Sequence, residues 1–274
     1  MSESYELERD TALVRAPGEG CSFAATISSG WSIGSAPNGG YLAVLAARAM
    51  REVLPQPDPF TITVHFLRVA RPGPARIDVE ILRQGRGHST AMARLVQEQG
   101  EVLRAIATFG ELGASTGPTD VRALPPPVPP LEVCEPGRAA PTSGPTSELS
   151  IADRVDMRMA PGTVTWREGT RSDVAELGGW ARLRDGRPTD ALSLLFFADA
   201  FPPPVLNLRA AEASWVPTLE LTVHLKARPA PGWIRGWFHT RALVGGYLEE
   251  DGELWDEEGR LVAISRQLAR LHRG

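Results

Sequence analysis

Two stretches of the chain are apolar on almost every side, and each is followed by stretches that alternate. Between Ala191 and Phe201 (ALSLLFFADAF) only Ser193 and Asp199 are polar, and a helix that is apolar all round is a buried helix. Thr189 or Asp190 can cap its start, and Pro202, Pro203 and Pro204 stop it, so the pattern predicts a helix from Thr189 to Phe201. On that helix Leu192, Leu195, Phe196 and Asp199 share one face. The second stretch, Tyr41 to Leu54, carries no charge until Arg48. It follows the turn Pro37-Asn38-Gly39-Gly40 with Asn38 placed as a cap, and it predicts a helix whose first half is buried.

The alternating segments predict strands. Phe23 to Ile27 comes before the first helix. After it, Phe60 to Leu67 (FTITVHFL) puts Phe60, Ile62, Val64 and Phe66 on one face and Thr61, Thr63 and His65 on the other, as in a sheet with two different faces. Arg76 to Arg83, Ser89 to Gln97 and Glu101 to Phe109 follow, joined by short turns at Gly85-Arg86-Gly87 and Gln99-Gly100; connections this short make the strands antiparallel. Strand patterns resume near Val155 and at Gly178 to Leu183. After the second helix come Thr218 to Leu225 (TLELTVHL), Ile234 to Leu243, Tyr247 to Asp256 and Arg260 to Leu271.

The chain repeats itself. Thr63-Val64-His65 returns as Thr222-Val223-His224, a shift of 222 − 63 = 159. Arg71-Pro72 returns as Arg228-Pro229, and Ala105-Ile106 as Ala263-Ile264, at shifts of 228 − 71 = 157 and 264 − 106 = 158. Each half reads as a helix followed by four strands, and a helix apolar on most sides needs a curved antiparallel sheet around it. The expected fold is therefore α+β: a tandem (double) hotdog, with two antiparallel sheets each wrapped around a central helix. Its parts are an N-terminal hotdog over residues 1–112, a linker over 113–150 and a C-terminal hotdog over 151–274. The linker assignment rests on Gly113 to Ser150, which has nine prolines and no periodicity, the composition of a partly extended, partly mobile segment.

Composition narrows the function. With 42% hydrophobic and 23% charged residues, the 274-residue chain has the material for a sizeable core. A net charge of −4, with no basic stripe, argues against a nucleic-acid partner. Cys21 and Cys134 make neither a metal-type spacing nor a disulfide framework, so no metal is expected and a reducing compartment, the cytoplasm, is. The acidic start MSESYELERD has no apolar core, and no run of about 20 apolar residues occurs, so neither a signal peptide nor a membrane span is expected.

Asp199 is the residue this pattern leaves exceptional. An unpaired buried carboxylate costs several kcal/mol or takes a raised pKa, so Asp199 has a partner, lines a wet cavity or acts as a tuned base. The segments WSIGSAPNGGYL, TVHFLRVARPGP and VEILRQGR in the first half, and FFADAF, VPTLELTVHL and GRLVAISRQLA in the second, resemble the double-hotdog acyl-CoA thioesterases, the thioesterase II family and its shorter bacterial relatives. That resemblance implies an Asp on the second helix, a Thr opening the next strand and a Gln on the last strand. Here these are Asp199, Thr218 and Gln267, which orient and activate a hydrolytic water without a cofactor.

Strict alternation puts Thr218 on the polar face with Glu220, Thr222 and His224, so it meets Asp199 only if a bulge or an irregular strand start turns it. Gly39 and Gly40 are either a structural turn or oxyanion donors at a helix N-terminus. His65 and His224, at repeated positions, point to a structural or interface role. No acid occupies the matching helix region of the first half, so one site per chain is expected. The implied substrate is acyl-CoA. A non-catalytic protein binding acyl-CoA or another apolar ligand stays open, and a hydratase, which needs a close Asp–His pair, ranks below both. Hotdog sheets have exposed edges that pair, so a homodimer or larger homo-oligomer is expected.

Overall fold

The computed structural model describes residues 4–18, 20–114, 116–137, 150–209, 211 and 214–273. Its largest element is a 14-stranded antiparallel sheet. In chain order its strands are β1 (Val14–Arg15), β2 (Ser22–Ile27), β3 (Asp58–Phe66), β4 (Gly73–Arg83), β5 (Ser89–Gln97), β6 (Gly100–Gly110) and β7 (Glu135–Pro136). These are followed by β8 (Val155–Met159), β9 (Glu176–Leu183), β10 (Thr218–Leu225), β11 (Ile234–His239), β12 (Leu243–Val244), β13 (Tyr247–Asp256) and β14 (Leu261–Arg270). Across the sheet they run β1-β2-β4-β5-β6-β3-β10-β14-β13-β11-β9-β8-β7, with β12 paired to β13.

The expected two sheets are thus one. Each half contributes a set of neighbouring strands, and the sets meet where β3 pairs with β10, Thr222 opposite Thr63 and Glu220 opposite His65. In a half taken alone, β3 or β10 would be an edge with a row of unpaired N–H and C=O groups. Side by side, the two edges satisfy each other. The hydroxyls of Thr63 and Thr222, repeat equivalents, bond at 2.8 Å across the seam.

The ladders refine the repeat. β3 is irregular between Pro59 and Thr61, and β10 between Thr218 and Glu220, which gives 218 − 59 = 159 for these strands. On the last strands, Ala107 pairs with Ile62 and Gln267 with Leu221, a shift of 267 − 107 = 160. The match of Ala105-Ile106 with Ala263-Ile264 lies two residues off this equivalence. A two-residue slip keeps the same side chains on the same face, which is why the pattern survives it.

Two central helices cross the buried face. Helix α1 (Gly39–Arg51) buries nearly all its first ten residues. Helix α2 (Ala191–Phe197) buries all seven of its residues. It opens on a capping box in which Asp190 accepts from the Ser193 N–H and Ser193 Oγ from the Asp190 N–H, both at 2.8 Å. It ends at Phe197, four residues before the expected end at Phe201. The chain tightens instead, the Asp199 N–H reaching Phe196 O at 3.1 Å. Asp199 therefore sits in the turn just past the helix, not on it. Trp31, fully buried, stacks on Tyr41 with ring centres 5.5 Å apart and meets Phe196 edge-on at 5.1 Å, joining the helices of the two halves.

Part of the proline-rich segment is packed against the C-terminal half. Val128 and Cys134 are buried, the Trp180 indole donates to Pro129 O at 2.9 Å, and β7 pairs with β8. Within this segment Val128 packs in one cluster with Cys134, Ala160 and Trp180. Residues 138–149 of the expected linker lie outside the described residues.

Candidate active site

The close approach of the two helices creates the site. The C-terminal end of α2 runs onto the N-terminus of α1 so tightly that a Cβ on Gly40 would lie 2.7 Å from Phe196 O, and one on Gly39 would lie 2.8 Å from the Phe66 ring and 3.0 Å from Asp199 Oδ2. Only glycines allow this contact. It brings the Asp199 carboxylate to the N-terminus of α1, where unpaired N–H groups and the helix dipole favour negative charge.

Asp199 Oδ2 accepts from Asn38 Nδ2 at 2.8 Å and from the Gly40 N–H at 2.9 Å. Asn38 does two things at once. Its Oδ1 accepts from the Tyr41 N–H at 3.0 Å, capping α1, while its Nδ2 holds the carboxylate and also donates to Asp199 O at 2.8 Å. The other carboxylate oxygen, Oδ1, lies 3.4 Å from Thr218 Oγ1. Oδ2 is thus saturated and Oδ1 is the oxygen left with lone pairs to use. Burial pushes the carboxyl up to about 6, against the opposing pull of the Gly40 N–H, the Thr218 hydroxyl, the Gly39 N–H and the Asn38 amide.

Thr218 reaches Asp199 through the irregularity that alternation required. Thr218 pairs with Ala269 and Glu220 with Leu268, so the ladder slips between them and the first residue of β10 turns off the polar face. Its Oγ1 donates to Gln267 Oε1 at 2.7 Å. Gln267, 7% exposed, donates in turn from Nε2 to Glu250 Oε1 at 2.7 Å. The structure therefore brings Asp199, Thr218 and Gln267 together in one bonded row.

The Gly39-Gly40 pair is placed differently from the oxyanion reading, because its N–H groups face the Asp199 carboxylate. His65 and His224 are exposed on the outer face of the sheet, away from this row. That face carries an open cavity of about 560 Å³ whose lining includes His224, His239, Asp251 and Arg266, and it too is separate from Asp199.

Two members of the site were not anticipated. The sequence marks Asn38 as a cap and, with Gly39 and Gly40, as a turn at the helix N-terminus, but not its side-chain hold on Asp199. Glu250, 3% exposed, ends the row. Its signal was in β13, where alternation groups Leu248, Glu250, Gly252, Leu254 and, at the end of the strand, Asp256, so that Glu250 is the charge in the middle of the inward face. Burial is the main cause that pushes its carboxyl up to about 8, with Asp199 and Asp251 adding to it and the Gln267 amide opposing.

The first half carries no counterpart. By the strand equivalence, Thr218 corresponds to Pro59, Gln267 to Ala107 and, from its pairing with Gln267, Glu250 to Ala91, which pairs with Ala107. Among the described residues no cluster of His, Cys, Asp and Glu has the makings of a metal site, and no helix is long and apolar enough to cross a membrane.

Comparison with known proteins agrees with this architecture. Residues 27–110 match the acyl-CoA thioesterase N-terminal domain, and residues 130–271 match the acyl-CoA thioesterase C-terminal domain. A solved structure from Thermobifida fusca, proposed to be a thioesterase II, is 33% identical with a TM-score of 0.88, each chain covered in full. A hot dog fold protein of unknown function from Alicyclobacillus acidocaldarius superposes with a TM-score of 0.82 at 23% identity over 99% of both chains, a likeness of fold alone. An uncharacterized protein of Mycobacterium tuberculosis is 29% identical over 267 residues, 90% of each chain. With both domain models matched in order and a solved relative 33% identical with each chain covered in full, the chain belongs to the acyl-CoA thioesterase family and is a thioester hydrolase.

Proposed function

We propose that the protein hydrolyses an acyl-CoA thioester to a free acid and CoA, with Asp199 as the base that activates water. The observation that supports this most is Asp199 Oδ1: an unsaturated oxygen of a carboxylate with a pKa near 6, beside the Thr218 hydroxyl, on a residue that is itself only half-buried. A base tuned to just below neutral is ionised at pH 7 and still basic enough to take a proton in the transition state. In this reading a water donates to Asp199 Oδ1. As its oxygen bonds to the thioester carbon, its proton passes to Asp199. The C–S bond then breaks, and the departing sulfur takes that proton back.

Thr218 fixes the water and the Oδ1 lone pair. Gln267, engaged at both ends by Thr218 and Glu250, acts by holding Thr218 and not by touching the substrate. Asn38, Gly39 and Gly40 hold the carboxylate and keep Oδ2 out of the reaction.

The same reading takes the fold as a double hotdog whose modules, 1–112 and 151–274, share one sheet, with the proline-rich segment between them. It places the protein in the cytoplasm, in line with two unpaired cysteines, and as a homodimer or larger assembly. The test is release of free thiol from a panel of straight-chain acyl-CoAs by wild type and Asp199→Asn. Release by wild type and loss of at least about a hundredfold in the variant is the expected result. Equal rates refute the role of Asp199. No release at any chain length favours a binding protein of the same fold.

A further inference from the structure

The hydrolytic reading uses Asp199 and Thr218 directly and leaves the buried acid at the far end of the row without a task. Four side chains stand in line: Asp199, Thr218, Gln267 and Glu250, with contacts of 3.4, 2.7 and 2.7 Å. Their chemistry allows the line only one polarity at a time. A hydroxyl carries one proton to donate, a primary amide has a donor end and an acceptor end, and a carboxyl donates only when protonated.

In one polarity, that of the amide as described above, Gln267 Nε2 donates to an ionised Glu250, and Gln267 Oε1 takes the only Thr218 proton. Thr218 then presents a lone pair to Asp199, an arrangement that suits a protonated Asp199 and repels an ionised one. In the other polarity a protonated Glu250 donates to Gln267 Oε1, Nε2 donates to Thr218 Oγ1, and the Thr218 hydroxyl donates to an ionised Asp199. The two differ by a half-turn of the amide, which exchanges its nitrogen and oxygen in place, and by the location of one proton.

We propose that Glu250 is a positioning residue for hydrolysis: when it holds a proton, the Gln267 amide turns so that Thr218 donates to Asp199, and when it loses that proton, the row reverses and Thr218 turns away. The surroundings fit. Glu250 is 3% exposed on the inner face of β13, directly across the ladder from Gln267. The charged groups acting on it are Asp199 at the other end of the row and Asp251, its neighbour on β13, both of which disfavour a second negative charge. Asp251 is itself paired with Arg266 and Arg241, so those cations are engaged there. Glu250 accordingly keeps its proton at neutral pH, in line with its raised pKa of about 8. The sharing of one proton between two coupled carboxyls belongs to the row as a whole.

The proposal rests on Asp199 as the base, and its test separates the two. The readout is the pH profile of kcat/KM for acyl-CoA hydrolysis, corrected for spontaneous hydrolysis. Wild type is expected to show a bell, rising through about pH 6 and falling through about pH 8, the ionisations of a base and of a group needed in its acid form. In Glu250→Gln an amide N–H replaces the acid proton and cannot be lost. This variant is expected to keep the acid limb and lose the alkaline one, exceeding wild type at pH 9 on the order of tenfold. Glu250→Leu, with no donor, is expected to lower kcat with KM unchanged.

A merely structural Glu250 would lower activity by one factor at every pH. An alkaline limb retained in Glu250→Gln, with Asp199→Asn inactive, overturns the proposal and leaves Asp199 standing. Turnover in Asp199→Asn overturns both. Should the Glu250 variants fail to fold, carbon-13 spectra of wild type labelled at glutamate carboxyls decide: one resonance titrating near pH 8 supports the proposal, and none above pH 6 overturns it.

Discussion

Replacing Asp199 with Asn is expected to make the protein more stable at alkaline pH while it stops turnover. In the fold the carboxyl is raised from 3.8 to about 6 because burial outweighs the donors around it. Since the folded-state pKa lies above the unfolded one, the folded form binds the proton more tightly. The favourable contribution is therefore complete below pH 3.8 and is lost as pH rises through about 6. At pH 8 the fold carries the full cost of the charge, about 3 kcal/mol for a shift of this size, and at pH 4 only a fraction of it.

Asn fits the same bonds without charge. Its oxygen accepts from Asn38 and Gly40, and its nitrogen donates to Thr218, whose proton then goes to Gln267 Oε1 in the polarity that has Nε2 donating to Glu250. The variant is thus expected to gain about 2 kcal/mol relative to wild type between pH 4 and pH 8, or roughly 3–4 °C in Tm for a chain of this length. Urea titrations at the two pH values, with unchanged m, measure it. A destabilisation of equal size at both pH values would refute the reasoning, because the carboxylate would then be stabilised by its donors and not strained by burial.

Other substitutions probe the construction of the site. Thr218→Val removes the hydroxyl and is expected to lower kcat ten- to a hundredfold, about 1.4–2.7 kcal/mol of transition-state stabilisation, while Thr218→Ser restores most of it; steady-state kinetics separates the two. Gly40→Ala drives a Cβ to within 2.7 Å of Phe196 O and is expected to destabilise by about 1–3 kcal/mol in denaturant titration, with loss of turnover as α2 is pushed off α1. Asp58 accepts from the Leu112 N–H at 2.9 Å and from Arg228 Nε at 3.0 Å, a tie between the halves. Asp58→Ala, which leaves the buried Leu112 N–H without its partner, is expected to cost about 1–3 kcal/mol in the same titration with KM little changed.

Much of the site was legible in the residues. Asp199 stood out because one carboxylate interrupted an apolar run. Thr218 was legible together with its difficulty, since alternation placed it on the wrong face and named the remedy, an irregular strand start, that β10 shows. Glu250 was equally present in the pattern of β13, as a charge in the middle of its inward positions, yet alternation within one strand says nothing of what lies across the ladder. Its partner Gln267 comes into reach only through the register of β13 with β14. Asn38 was legible as a cap because capping is local. Its hold on Asp199, 161 residues away, was not.

The sequence by itself determined the repeat, the two buried helices, the strand order along the chain and the acid that had to be accounted for, because each follows from local periodicity and from the cost of burying charge. Tertiary structure decided that the two sheets fuse into one at β3 and β10, that α2 stops short and leaves Asp199 in a turn, and that the Gly40 N–H meets the Asp199 carboxylate. These depend on distances between segments far apart in the chain, where backbone edges find partners and helices approach as closely as a missing Cβ permits. No single stretch of residues encodes such distances.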